Sequence, residues 1–199
     1  MTSADRKYEL VLAREEQFAR IVATRVVDRP ELSVWMILIP LVFLHYMYRH
    51  QKFQAAVEIF SEELMFTKKT ALEAAFEIKK SGVSKAEALA GCFAAQQHEF
   101  STKADEVRRR QLEEIDLLTD HYTRLFAAEG DSYQSLLMDA YPTRSRYTEF
   151  LMQLQQVEKE VNRAAISAFG QAEGFPEIMS RMEAVTEAIR LEETKKIFP

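Results

Sequence analysis

From Phe53 to Ile78, the residues Phe53, Val57, Phe60, Leu64, Thr67, Ala71, Ala74 and Ile78 follow one another at spacings of 4,3,4,3,4,3,4. Such spacing gathers them on one side of an α-helix and does not fit the two-residue alternation of a strand. No Gly or Pro interrupts the run before Gly82. The whole chain of 199 residues holds only five Gly and five Pro, so turns are few and helices long. The expected fold class is all-α: long antiparallel helical hairpins in one bundle, with heptad-patterned seams and one strongly apolar segment near the N-terminus.

The remaining helices follow from the same reading. A first helix spans about Ala4 to Val27, with Tyr8, Val11, Leu12, Phe18, Ile21 and Val22 on one side and Arg14, Glu15, Arg20 and Arg25 around the rest. Asp28-Arg29-Pro30 ends it. The second helix is expected to continue to Lys80 and break at Ser81-Gly82. Ser84-Lys85-Ala86-Glu87 has the pattern of a capping box and opens a third helix. That helix is expected to reach Gly130, with an irregularity at Ser101-Thr102 and a seam of Ile115, Leu118, Tyr122 and Leu125. Folded back at Gly82, helix two would present Phe60, Leu64, Ala71 and Ile78 to helix three. A short helix at 132–140 precedes Pro142. A longer one at 144–169 has the seam Phe150, Leu154, Val157, Val161, Ala164 and Ala168. Pro176 opens the last, with Ile178, Met182, Val185 and Ile189.

One segment stands apart. Residues 32–48, LSVWMILIPLVFLHYMY, carry no Asp, Glu, Lys or Arg over 17 positions. A bilayer span takes roughly 20 apolar residues, with a lower limit near 17. Trp35 at one end and Tyr46 and Tyr48 with Arg49 at the other suit the membrane interface. Ile37, Leu38, Ile39, Pro40, Leu41, Val42, Phe43 and Leu44 would then occupy the hydrocarbon. Two other readings stand beside this one: a core helix sheathed by protein, and a re-entrant hairpin broken at Pro40. Arg14, Arg20, Arg25 and Arg29 before the stretch balance Arg49, Lys52, Lys68 and Lys69 after it, so charge does not orient a span. The chain divides accordingly into an amphipathic N-terminal helix (1–30), a membrane anchor or buried core helix (31–49) and a helical bundle (50–199).

Composition removes several classes of function. The net charge is −5 with acids and bases interspersed, which gives no electrostatic case for nucleic acid. Cys92 is the only cysteine, so no intramolecular disulfide or CxxC site exists in the chain. Residues 1–30 are charged throughout and lack a secretory pattern. A bundle invites a di-metal carboxylate site, but Val42, Met47, Ala95 and Leu118 stand three before His45, His50, His98 and His121, where that motif needs Glu. No cofactor and no metal is expected. No GxGxxG, Walker A or GxSxG sequence occurs. Arg108-Arg109-Arg110 reads as helix-surface ion pairing with Glu106, Glu113 and Glu114.

These features lead to a membrane-anchored helical scaffold or adaptor without catalysis. Its partners would be the lipid bilayer and either another protein or a second copy through the helix seams, with most of the chain cytoplasmic. The alternative is a soluble cytoplasmic bundle with 32–48 as its core helix, binding an apolar ligand or lipid. An enzyme with active groups on helix faces is the third reading.

Overall fold

A computed structural model describes residues 3–27, 40–94, 104–170 and 174–198. Seven helices are found among them: α1 (Ser3–Val26), α2 (Pro40–Ser81), α3 (Lys85–Ala94), α4 (Ala104–Ala127), α5 (Tyr133–Ala140), α6 (Arg144–Phe169) and α7 (Phe175–Ile197). No strand occurs among the described residues. The all-α expectation holds, and the seams turn inward over most of their length, although Ile178 of the last one is 39% exposed. Ile115, Leu118, Tyr122 and Leu125 of α4 are all at most 1% exposed. In α2, Phe53, Val57, Thr67, Ala71 and Ala74 are buried.

The helix ends are set by local chemistry. Gly82 takes φ 68 after the last turn of α2, and its N–H donates to Ile78 O at 3.0 Å. An L-side chain resists that left-handed conformation, which is why glycine stands there. At the start of α3 the capping box forms: Glu87 N donates to Ser84 Oγ at 3.3 Å, and Ser84 N to Glu87 Oε2 at 2.9 Å. Thr143 caps α6 through Arg146 N. Two cations reach the carboxyl ends of other helices. Lys7 Nζ donates to Phe126 O and Ala128 O at the end of α4, and Arg181 donates to Val26 O at the end of α1. Both satisfy carbonyls left open by the helix and favour the negative pole of its dipole.

The topology departs from a simple chain of antiparallel hairpins. α3 doubles back against α2 as expected, but it is short, and α4 runs parallel to α2. Thr67 meets Glu114, and further along both helices Phe76 meets Phe126. α4 thus runs opposite to α3; the irregularity expected at Ser101-Thr102 falls in 95–103, outside the described residues. The expected pairing of Phe60 and Leu64 with the third helix is corrected as well. They pack with Phe18, Val22 and Ile189 of α1 and α7. Ala71 does join the core with Ile115 and Leu118.

The other neighbours are antiparallel. Helices α1, α2, α4, α6 and α7 form a closed ring, each packed on the next, with α7 returning to α1. The larger core lies towards one end, where Leu72, Leu118, Phe126, Leu136 and Phe150 meet. A smaller one, Phe18, Val22, Val26 and Ile189, lies between α1 and α7. Between these two apolar cores the interior is polar.

Candidate functional site

Each helix of the ring brings a charged or polar side chain inward at this level. From α1, Glu15 is 8% exposed, and from α2, Lys68 is 6% exposed; they pair at 2.7 Å. From α4, Glu114 is 7% exposed and accepts a hydrogen bond from Thr67 Oγ1 at 2.9 Å. From α7, Arg190 binds Glu158 of α6 in a bidentate pair at 2.5 and 2.7 Å. The Phe18 ring lies among three cations, with Lys68 at 5.1 Å, Arg190 at 5.5 Å and Arg14 at 5.7 Å from its centre. Their attraction to the ring quadrupole helps hold these side chains in place. Arg14 also pairs with Glu193.

The groups have been driven to different protonation states. The carboxyl of Glu15 stays below its usual pKa because Lys68 beside it outweighs the cost of burial. Glu114 goes the other way. Burial, with the negative Glu158 nearby, pushes it up to about 7 against the pull of Thr67, Lys68 and Arg190. Arg190 rises above its ordinary value despite burial, because Glu158 stabilises its charge. Burial drives His121 down to about 3, so it is neutral. It shares a hydrogen bond with the Tyr141 hydroxyl at 2.8 Å and stacks on Phe150 at 4.2 Å. Beside it, the Tyr122 hydroxyl is buried with no hydrogen-bond partner among the described residues.

A cavity of about 400 Å³ opens onto this cluster between α2, α4, α6 and α7. Leu64, Leu151, Met182 and Leu191 give it apolar walls; Thr67, Glu114, Glu158 and Arg190 reach it from the polar interior. Asn162 and Gln155 also line it, and their amide nitrogens donate to Glu183 and Glu187. Among the described residues, no three or more His, Cys, Asp or Glu side chains converge as a metal-ligand set.

The residues singled out in the sequence lie elsewhere. Trp35, Ile37, Leu38 and Ile39 lie outside the described residues. Pro40, Leu41, Val42, Phe43, Leu44, Tyr46, Tyr48 and Arg49 belong to the first turns of α2, which continues without interruption to Ser81. Among the described residues no helix is long and apolar enough to cross a membrane, so the transmembrane reading finds no support there. The spacing makes Glu114 a surface partner of Arg110; in the structure Arg110 pairs with Glu106 and Glu113, and Glu114 turns inward. A signal for the cluster does exist. Val11, Glu15, Phe18 and Val22 are spaced 4,3,4, which puts Glu15 on the inward stripe of α1. Glu114 likewise stands four before Leu118.

Compared with models of known protein families, with curated proteins and with solved structures, the chain matches none.

Proposed function

We propose that this protein is a binding protein: a helical bundle that takes a small amphipathic ligand into the cleft between α2, α4, α6 and α7. The observation that carries this reading is the pairing of a cavity of about 400 Å³ with a few buried polar groups at its inner side. Small-molecule sites occupy roughly 300–1,000 Å³ and are apolar with a few fixed polar groups. The reading keeps the ligand-binding part of the soluble-bundle alternative and moves the site away from residues 32–48. The neutral fluorophore N-phenyl-1-naphthylamine tests it. Saturable binding at one site per chain is expected, and Thr186→Trp, which fills the cleft from α7, abolishes it without lowering Tm. Unsaturable binding, or binding indifferent to that substitution, overturns the reading.

The membrane-anchored scaffold is the second reading, favoured by the uncharged stretch at 32–48. It requires the expressed protein to stay in the membrane fraction after a carbonate wash and to leave with detergent. Recovery in the soluble fraction rejects it.

A further inference from the structure

Resting on the ligand-binding reading above, we propose that the cleft selects a primary amine with an aliphatic tail, its ammonium seated against Glu114 and its tail along Leu64, Leu151, Met182 and Leu191. The buried cations at the cleft are already paired. Lys68 reaches the cleft but is held by Glu15 at 2.7 Å, and Arg190 is held by both oxygens of Glu158. The amide nitrogens of Asn162 and Gln155 are engaged by Glu183 and Glu187. The charges of Lys68 and Arg190 are therefore already balanced by carboxylates, which weakens the pull of the deep cleft on an anionic head group. The remaining lining cations, Arg144 and Lys159 on α6, are respectively exposed and half-buried.

Glu114 is the deep group that remains open to a ligand. It is 7% exposed and lines the cleft, and among the described residues it makes no ion pair and accepts a single side-chain hydrogen bond, from Thr67. A buried carboxylate without its own cation is costly, and an ammonium ion removes that cost. The field at Glu114 comes from all sides of the ring: Lys68 on α2, Glu158 on α6 and Arg190 on α7, with Glu15 of α1 behind Lys68. Because the Glu114 carboxyl titrates at about 7 in the free protein, seating an ammonium expels its proton. Binding thus exchanges the carboxyl O–H for an ionic contact, and the proton leaves to buffer.

Titration calorimetry with octylamine, 1-octanol and octanoate, each below its aggregation concentration, tests the proposal. An alkyl ammonium is charged throughout pH 6–8, as a lysine side chain is. Octylamine is expected to bind at least about tenfold more tightly than 1-octanol at pH 8, with octanoate weakest; charge-assisted pairing supports a preference of that order. Its affinity should fall about tenfold from pH 8 to pH 6, as expected for a carboxyl titrating near 7. Buffers of different ionisation enthalpy should report about half a proton released per ligand at pH 7, rising towards one at pH 6. Glu114→Gln, with its fold checked by circular dichroism, should lose the amine preference, the pH dependence and the proton release together. If the fluorophore binds saturably but octylamine shows no advantage over 1-octanol, the amine proposal fails and the ligand-binding reading stands. If the fluorophore does not bind at one site, that reading fails as well. An amine preference that survives in Glu114→Gln also sinks the assignment.

Discussion

Thr67 on α2 donates to Glu114 on α4 at 2.9 Å, joining two helices that run in the same direction although α3 lies between them in sequence. This contact fixes which parts of α2 and α4 are neighbours. It also places Asp120, His121 and Arg124 beside the carboxyl half of α2, away from its apolar first turns. Asp120 pairs with Lys85 of α3 at 2.8 Å, and His121 is buried against Phe150.

The parallel arrangement predicts spin-label distances. With Cys92 replaced by Ser, labels at the exposed Glu58 and Asp105 should lie close together. Labels at Glu58 and Ala127 should be roughly 30 Å or more apart, since α4 rises about 1.5 Å per residue between the two sites. Electron–electron resonance giving the reverse order would restore the antiparallel hairpin.

The Glu15–Lys68 pair predicts strong coupling. Lys68→Met alone strands a buried carboxylate and should cost about 3–5 kcal/mol. Glu15→Leu combined with Lys68→Met should cost clearly less than the sum of the single changes, because no unpaired charge remains. Additive losses in urea unfolding would show that the two side chains do not interact.

His121 predicts acid lability. Its folded pKa, about 3, lies below the unfolded value near 6.5, so the unfolded chain takes up the proton first. The contribution of neutral His121 is complete above pH 6.5 and is lost as pH falls towards 3, at up to about 1.4 kcal/mol per pH unit. His121→Phe should be less stable than wild type at pH 8, because the Tyr141 hydroxyl loses its partner. The gap should narrow or reverse at pH 5. A gap that stays constant from pH 8 to pH 5 in denaturant titrations contradicts the buried neutral state.

Glu114 predicts the opposite slope over a neighbouring range. Its folded pKa, about 7, lies above the unfolded value near 4.5. The protonated carboxyl is tolerated at low pH, and stability is lost as pH rises from 4.5 to 7, then levels off. Glu114→Gln should therefore stabilise the protein at pH 8 by an amount on the order of 3 kcal/mol and change little at pH 4.5. A destabilised variant at pH 8, measured without ligand, would mean that the ionised carboxylate is favoured in the free bundle.

The sequence alone determined the class of fold, most helix limits and most inward faces. Those features are local: helix periodicity places Ile115, Leu118, Tyr122 and Leu125 on one stripe, and Ser84 with Glu87 caps a helix within four residues. It also offered a hint in Glu15, whose place between Val11 and Phe18 marks it as inward. The company these side chains keep comes from long-range packing. Lys68 pairs with Glu15 across 53 positions and Arg190 with Glu158 across 32, distances over which sequence spacing carries no geometry. Glu114 shows the difference most directly. Four residues beyond Arg110, it fits a surface ion pair by local rules, but α4 must bury its Ile115 and Leu118 against α2 and α6, and that rotation carries the Glu114 carboxyl inward with them. Burial of the neighbouring apolar residues outweighs the few tenths of a kcal/mol that an exposed pair contributes.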